Sequence, residues 1–392
     1  MPSSRYLIVG GGMTADAAVH GIRELDADGA IDLVTAELDP PYNRPPLTKG
    51  LWKGDSLESV WRKTGDAGVD LHLGRRATVL DLPNRLVTDD HGDEYPFEQL
   101  LFASGAAPRR LPFGGDDVVY YRTLDDYRRV RAIAARSGTV VVIGGGFIGS
   151  EIAAALTMNG CKVTMLFPEA GIGARIFPAD LAAFLVSYYR EKGVDVRPGE
   201  QVVDIKSTTA GMAVSVKSGA TVRTDAVIAG IGVAPNTDLA KAAGLAVEDG
   251  IIVDDHLTTS FHGVYAAGDV ARFMSPALGK RIRVEHEDNA LSMGHAAGRA
   301  MAGDKAPYTH LPFFYSDLFD LGYEAVGETD PRLDVVADWK TPFKEGAVYY
   351  LAGGRVRGVL LWGIFGKVDD ARALIGDAGM FNAETLQGRL TG

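Results

Sequence analysis

Two glycine-rich loops in this sequence have the spacing that binding of a dinucleotide requires. The first loop, residues 10–12, follows the apolar run 6–9 and precedes a helical pattern. Backbone N–H groups at a helix start attract the charge of a pyrophosphate. Glu37, at the end of a second apolar strand, can accept hydrogen bonds from a ribose. The residues predicted to approach this first ligand are Gly10, Gly11, Gly12, Thr14 and Ala15, with Ala15 in place of the third glycine.

The second loop, residues 144–146, lies between an apolar strand and a helix, and Gly149 completes a full G-x-G-x-x-G pattern. Glu169 follows the next strand, where a carboxylate repels a 2′-phosphate and so favours NADH over NADPH. Arg175 lies close enough in the chain to weaken that preference. Two nucleotide units in one chain imply hydride exchange between a nicotinamide and a flavin.

The remaining elements predict an α/β protein of two or three domains. We predict a discontinuous FAD-binding domain (1–112 and 236–306), an NAD(H)-binding domain (113–235) and a C-terminal α+β domain (307–392) for interface formation or dimerisation. Short strands at 201–206, 212–217 and 221–224 indicate an antiparallel insertion in the second domain.

Composition excludes several function classes. The net charge of −11 argues against nucleic-acid binding and against anionic membranes. No apolar run approaches the length of a membrane span, and the N-terminus has no signal-peptide pattern. Cys161 is the only cysteine, so no intrachain disulfide can form, which fits a cytoplasmic protein. The histidine spacing predicts no metal site.

Several charged residues allow two interpretations from the sequence alone. Arg44 and Lys49 lie on the proline-rich segment 39–50, and they either bind an anionic cofactor or are solvated charges of a surface loop. Asp269 ends a strand, where it either accepts from a sugar-like hydroxyl or caps a helix. His286, taken alone, would most often be structural.

With these pieces assembled, the chain resembles the FAD-dependent pyridine-nucleotide reductases over nearly its whole length. Within them it is most similar to apoptosis-inducing factor and the ferredoxin reductases of oxygenase systems. The motifs that carry the resemblance are PYNRPPLTK at 41–49, GGGFIGSE at 144–151, LFPE at 166–169, AGD at 267–269, RVEH at 283–286, YSD at 315–317 and GYEAVG at 322–327. The resemblance implies two Rossmann-like domains arranged as in glutathione reductase.

The resemblance also implies roles for individual residues. At the FAD site, Ala77 would meet the adenine through its backbone, and the flavin end would be surrounded by Arg44, Lys49, Arg122, Gly268, Asp269, His286 and Tyr315. At the NADH site, Phe147 would lie at the flavin face and swing aside for the nicotinamide. The rest of that site would comprise Gly144, Gly146, Ile148, Gly149, Glu169, Arg175, Gly232, Glu285 and Glu324.

Lys49, Glu151 and Phe147 are the predicted catalytic residues. In the family, a lysine and a glutamate at these positions form an ion pair near flavin N5. We expect Glu151 in the first turn of its helix, where the dipole favours a carboxylate. The alternative is a salt bridge that only joins domains. Related disulfide reductases carry a cysteine pair after the first βαβ unit, and this chain has none there.

The sequence therefore predicts an FAD-dependent NAD(P)H oxidoreductase that passes a hydride from NADH to flavin N5 without a redox disulfide. The electron acceptor could be a ferredoxin, a quinone or oxygen, and a homodimer is possible. The alternative is an NADH-responsive redox sensor or assembly factor whose dimerisation follows flavin reduction.

Overall fold

The computed structural model describes residues 4–209 and 211–392. These residues form two compact units, each built from several chain segments. The first unit comprises the described residues of Met1–Arg44, Ser56–Ala107 and Ala234–Pro312, and the second comprises those of Pro45–Asp55, Pro108–Val233 and Phe313–Gly392. The predicted three-domain division stays a prediction.

The elements are numbered along the chain. The helices are α1 (Met13–Arg23), α2 (Gly50–Lys53), α3 (Leu124–Ala134), α4 (Phe147–Met158), α5 (Ala179–Glu191), α6 (Asp238–Ala242), α7 (Glu287–Met301), α8 (Val368–Gly376) and α9 (Ala383–Leu386), and 3-10 turns lie at Pro45–Leu47, Leu57–Val60, Thr64–Ala67, Gly115–Asp117 and Gly268–Val270. The strands are β1 (Ser4–Val9), β2 (Ile31–Thr35), β3 (Asp70–Leu73), β4 (Ala77–Asp81), β5 (Leu86–Asp89), β6 (Glu94–Phe102), β7 (Ala106–Pro108), β8 (Val118–Val119), β9 (Thr139–Ile143), β10 (Lys162–Phe167), β11 (Asp195–Pro198), β12 (Val202–Thr208), β13 (Gly211–Val216), β14 (Thr221–Thr224), β15 (Ala226–Ala229), β16 (Val233–Pro235), β17 (Val247–Glu248), β18 (Gly250–Ile252), β19 (Val264–Ala266), β20 (Ala271–Ser275), β21 (Lys280–Ile282), β22 (Phe313–Leu318), β23 (Leu321–Gly327), β24 (Asp334–Thr341), β25 (Glu345–Ala352) and β26 (Arg355–Trp362).

A parallel sheet of order β3-β2-β1-β6-β19 forms the centre of the first unit. β1 contains a continuous apolar run, as expected for a strand buried on both faces, and its Tyr6, Leu7 and Ile8 are inaccessible to solvent. The antiparallel pair β4-β5 extends the first half of β6, and β17, β18, β20 and β21 form a separate small sheet. The parallel arrangement places the carboxyl ends of β1 and β2, and so Gly10 and Glu37, at one edge.

The second unit contains a parallel sheet of order β11-β10-β9-β15-β8. β9 leads into the second glycine loop and α4, and β10 ends just before Glu169. The antiparallel sheet β12-β13-β14 confirms the insertion predicted over 201–224.

The C-terminal segment of the second unit is the antiparallel sheet β22-β23-β26-β25-β24, with α8 packed on β23 and β26. Tyr323 and Trp362 are paired across β23 and β26, and their buried rings stack at 5.5 Å. Phe177 packs edge-on against both rings. The two parallel sheets and this third, α+β segment confirm the predicted fold class. Over residues 4–209 and 211–392, no helix combines the length and the apolar character that crossing a bilayer demands.

Candidate active site

The first glycine loop forms a cradle at the end of β1. Gly10 has φ +127°, a conformation that L side chains rarely adopt, and a Cβ there would lie 2.1 Å from the carbonyl oxygen of Ala103. Gly12 precedes α1 as its N-cap, and no side chain among the described residues caps that helix start. The Ala15 N–H already donates to the Gly12 carbonyl at 3.1 Å, but the dipole of α1 and the other N–H groups of its first turn, which includes the buried Thr14, favour an anion there.

Glu37 is held by two neighbours beside this cradle. The Tyr42 hydroxyl donates to Glu37 Oε2 at 2.7 Å, and Arg44 pairs with Glu37 Oε1. Arg44 Nη1 also donates to the Tyr42 hydroxyl at 3.0 Å, while Nη2 lies 3.8 Å from the point where a Cβ on Gly12 would stand. Burial alone would lower the pKa of Arg44, but the charge of Glu37 raises it. Arg44 thus orients Glu37 and places a positive charge at the start of α1. The sequence left the role of Arg44 open and gave none to Tyr42.

Asp269 and His286 of the first unit lie close together. Asp269 follows Gly268 in the 3-10 turn after β19 and is only 8% exposed. His286 is the half-buried N-cap residue of α7. Burial lowers the pKa of His286 to about 4, although the carboxylates of Asp269 and Asp288 oppose this. The imidazole is therefore neutral at neutral pH and can both donate and accept.

Arg283 contacts the backbone of Asp269 and two carboxylates. Its Nη1 donates to the backbone oxygen of Asp269 at 3.2 Å and to Glu285 Oε1 at 2.7 Å. Its Nε lies 3.2 Å from Asp249 Oδ1. Arg283 belongs to a recognised motif, but the sequence alone gave it no role. Ala77, the predicted adenine contact, begins β4 and is half-buried.

The second glycine loop forms the matching cradle in the second unit. Gly149 lies in the first turn of α4, and a Cβ there would come within 2.0 Å of the Gly144 carbonyl oxygen. Around Gly146, by contrast, no heavy atom of the described residues lies within 4 Å of a Cβ position. The space in front of Gly146 is open, and no described side chain caps α4. This geometry fits a pyrophosphate at the start of α4.

The contrast between these two glycines gives a matched test. Gly149→Ala should destabilise the protein by about 1–3 kcal/mol, because the methyl group overlaps backbone. Gly146→Ala should fold normally but raise the dissociation constant of NADH at least about ten-fold, because the methyl group occupies ligand space. Thermal denaturation and NADH titration measure the two effects. NADH binding by Gly146→Ala at wild-type affinity would show that the loop does not approach the ligand.

The remaining predicted NADH-site residues take different positions in the second unit. Arg175 donates to Glu169 Oε1 from both Nη2, at 2.8 Å, and Nε, at 3.1 Å, so the carboxylate at the end of β10 is paired. Ile148 is half-buried in the first turn of α4. The carbonyl of Gly232 accepts from the Arg109 N–H at 2.9 Å. Arg122, a predicted flavin-end residue, donates its backbone N–H to Asp126 Oδ2 at 3.0 Å in the cap of α3.

Lys49 and Glu151 form the predicted ion pair, with Lys49 Nζ 2.7 Å from Glu151 Oε1. Lys49 immediately precedes α2, and its side chain is 14% exposed. Glu151 is 6% exposed and also accepts from Thr48 Oγ1 and Ser316 Oγ, each at 2.5 Å. The Tyr315 ring lies 5.2 Å from Lys49 Nζ, within range of a cation–π contact. Thr48 and Ser316 were missed by sequence reasoning, although each is adjacent to a predicted site residue.

The predicted position of Glu151 in the first turn of its helix was wrong. Gly146 has extended backbone angles, so α4 begins at Phe147 and Glu151 is one full turn inside it. The helix dipole acts mainly within the first turn. Direct hydrogen bonds, rather than the dipole, therefore account for the stability of this buried carboxylate.

In the second unit, Phe147 has an exposed ring, and Glu324 has a buried carboxylate oxygen. Phe147 is 38% exposed, and its ring meets Phe314 edge-on at 5.1 Å. Glu324 lies on β23, where burial raises its pKa and the Gly366 N–H partly opposes the rise. Glu324 Oε2 is buried and has no hydrogen-bond partner among residues 4–209 and 211–392. An acceptor of this kind suits a donor on a ligand, such as a carboxamide.

The predicted flavin-end residues belong to both units. Arg44, Asp269 and His286 lie in the first unit, and Lys49, Arg122 and Tyr315 lie in the second. Their convergence on one flavin stays a prediction. Asp254, Asp255 and His256 bring potential metal-ligand atoms within 4.8 Å of one another at the surface, where Asp254 already accepts from two backbone N–H groups of its own turn.

Two βαβ cradles, each with an acid at the end of its second strand, define a dinucleotide-dependent oxidoreductase. The profile of the pyridine nucleotide-disulphide oxidoreductase family matches residues 4–294, and that of the C-terminal domain of mitochondrion-associated apoptosis-inducing factor matches residues 297–342. Mitochondrial apoptosis-inducing factor 1 of Dictyostelium discoideum is 34% identical over 95% of this chain and 78% of that protein. The ferredoxin reductase subunit of 5,5′-dehydrodivanillate O-demethylase from Sphingobium is 33% identical over 91% and 89%. The crystal structure of the covalent putidaredoxin reductase–putidaredoxin complex superposes with a TM-score of 0.89, at 31% identity over 95% and 93%.

The chain therefore belongs to the pyridine nucleotide-disulphide oxidoreductase family. It is an FAD-dependent NAD(P)H oxidoreductase with FAD and NAD(H) as cofactors. Three features fit these cofactors: the open space at Gly146, the two helix starts that no described side chain caps, and the Glu324 oxygen that lacks a partner among the described residues. The enzyme differs from the disulfide reductases of its family because Cys161 is its only cysteine, and burial raises the pKa of that thiol. Electrons therefore leave without a redox disulfide.

Proposed function

We propose that this enzyme oxidises NADH through its FAD and delivers the electrons to a ferredoxin. The observation that carries the proposal is the Lys49–Glu151 pair, which is fixed by Thr48 and Ser316 in the unit that holds the second cradle. Bound FAD would accept a hydride from the nicotinamide and release electrons to the acceptor. Lys49 would supply a fixed positive charge near the flavin, and Phe147 would cover the nicotinamide position until NADH displaces it.

NADH is the proposed donor because Glu169, just after β10, would repel the 2′-phosphate of NADPH. Arg175 pairs with Glu169 but is 85% exposed, so its guanidinium contributes little fixed positive charge for a phosphate. A location in the cytoplasm also stays part of the proposal.

A ferredoxin is favoured as acceptor by the name of the Sphingobium relative and by exposed positive charge on α3. Arg128, Arg129 and Arg131 lie on the solvent side of that helix. The Arg131 guanidinium stacks over the Trp52 ring at 5.0 Å, three residues from Lys49. This exposed positive charge would steer an acidic protein partner.

Anaerobic titration of the purified yellow protein tests the proposal in two stages. One equivalent of NADH should bleach the bound flavin, whereas NADPH should do so only at much higher concentration. The reduced enzyme should then reduce cytochrome c rapidly only when an acidic [2Fe-2S] ferredoxin is added. A flavin that NADH leaves unbleached contradicts the whole proposal. Equal reduction of quinones or oxygen without ferredoxin contradicts the choice of acceptor.

Redox-dependent dimerisation is the second candidate, favoured by the match of residues 297–342 to the C-terminal domain of apoptosis-inducing factor. In that case NADH should produce a long-lived reduced-flavin–NAD⁺ charge-transfer band and slow turnover. Size-exclusion chromatography with and without NADH would show a change in oligomer size.

A further inference from the structure

The first strand of the C-terminal sheet contacts the ion pair with two consecutive residues. Ser316 Oγ donates to Glu151 Oε1 at 2.5 Å, and the ring of Tyr315 lies 5.2 Å from Lys49 Nζ. β22 therefore contacts the carboxylate through Ser316 and the ammonium through Tyr315.

Ser316 also connects Glu151 to the interior of the sheet. It is 1% exposed and lies opposite Tyr323 in the register of β22 and β23. Tyr323 in turn stacks on Trp362, so Ser316 lies on a well-packed, buried part of the sheet.

Three side chains from two separate parts of the sequence hold Glu151 in place. Thr48 occupies Oε2, while Ser316 and Lys49 share Oε1. A buried carboxylate needs such donors, because each unsatisfied oxygen is costly away from water. Without Ser316, Glu151 can rotate, and Lys49 then loses its fixed partner.

We propose that Ser316 is a positioning residue for flavin reduction: it holds the Glu151 carboxylate so that the Lys49 ammonium keeps one place. This inference rests on the proposed function, because reduction by NADH is the step that the pair serves. Ser316 itself acts only through Glu151.

The test compares Ser316→Ala with Ser316→Thr in anaerobic rapid-mixing experiments with NADH. Ser316→Ala should reduce the flavin about ten-fold more slowly, the scale of one lost hydrogen bond to a charged group. The NADH concentration for half-maximal rate should not change. Ser316→Thr retains the hydroxyl and should restore the rate.

A tyrosine variant provides a matched control. Tyr189 is fully buried, and its hydroxyl donates to the Ser150 carbonyl at 3.1 Å. Tyr189→Phe should therefore reduce its flavin at close to the wild-type rate.

A readout independent of turnover separates this inference from the proposed function. In a crystal structure of the FAD-loaded Ser316→Ala protein, the Glu151 carboxylate should be rotated, and the Lys49 ammonium should have left its wild-type position. If wild-type flavin is not reduced by NADH, the proposed function fails, and this structure still decides whether Ser316 holds Glu151. A carboxylate and an ammonium that keep their wild-type positions in Ser316→Ala overturn the inference. So does a Ser316→Thr variant that is as slow as Ser316→Ala.

Discussion

Replacement of Lys49 by alanine should slow reduction of the bound flavin by NADH about a hundred-fold or more while FAD remains bound. Removal of one preorganised electrostatic group typically costs that much in rate. Lys49 Nζ lies 2.7 Å from Glu151 in a nearly water-free position, where a charge interacts strongly with its surroundings. In the variant, Glu151 keeps only the neutral donors Thr48 and Ser316. Stopped-flow absorbance of the flavin, mixed anaerobically with NADH, measures the rate.

Lys53→Ala is the matched control. Lys53 lies one helical turn farther along α2, its side chain is 48% exposed, and it pairs with Asp317 at 3.2 Å. Exposed pairs of this kind contribute little, so the control should reduce at close to the wild-type rate. Lys49→Arg keeps the charge but changes its shape and reach, and it should recover only part of the rate.

The Lys49→Ala variant also distinguishes a catalytic role of Lys49 from a purely structural one. A purely structural ion pair predicts a loss of thermal stability, since breaking a buried pair costs about 3–5 kcal/mol, with no change in the reduction rate of the folded fraction. The catalytic assignment predicts that the folded, yellow protein is slow. Wild-type reduction rates in a destabilised Lys49→Ala protein would therefore leave Lys49 with a structural role alone.

The cradles could be predicted from sequence because their determinants are local. A buried strand, a glycine turn, a helix and a second strand all follow within about forty residues, and each step has its own signal. Gly10 and Gly149 show why the glycines stand where they do: a side chain at either position would overlap backbone. The ends of β2 and β10 place Glu37 and Glu169 without further information.

The contacts that fix Glu151 could not be predicted in the same way. Thr48 and Ser316 lie 103 and 165 residues from Glu151 in the chain, so no local pattern relates them to it. The prediction that Glu151 lies in the first turn of α4 was wrong for a related reason. The glycine pattern marks the loop, but the extended backbone of Gly146 decides where α4 begins. The pairing of Lys49 with Glu151 was predicted from the family resemblance and not from the spacing of the two residues.

Substitution of Arg44 by alanine should release FAD, raising its dissociation constant about a hundred-fold or more. Truncation of one partner in a hydrogen-bonded charge pair costs this much when it leaves the other charge uncompensated. Glu37 would retain only the Tyr42 hydroxyl, and its negative charge would face an anionic cofactor without the guanidinium that now lies beside Gly12. The flavin-to-protein absorbance ratio after gel filtration, followed by fluorescence titration with FAD, measures the loss.

Two further variants show which contact of Arg44 matters. Tyr42→Phe removes one hydrogen bond to Glu37 but keeps the charge of Arg44, so it should weaken FAD binding about ten-fold at most. Arg44→Lys restores a positive charge but cannot hold Glu37 and Tyr42 together, because an ammonium lacks the fork of the guanidinium. If Arg44→Ala retained FAD as tightly as the wild type, Arg44 would be a partner of Glu37 alone. The anion at the start of α1 would then depend on backbone donors and the helix dipole.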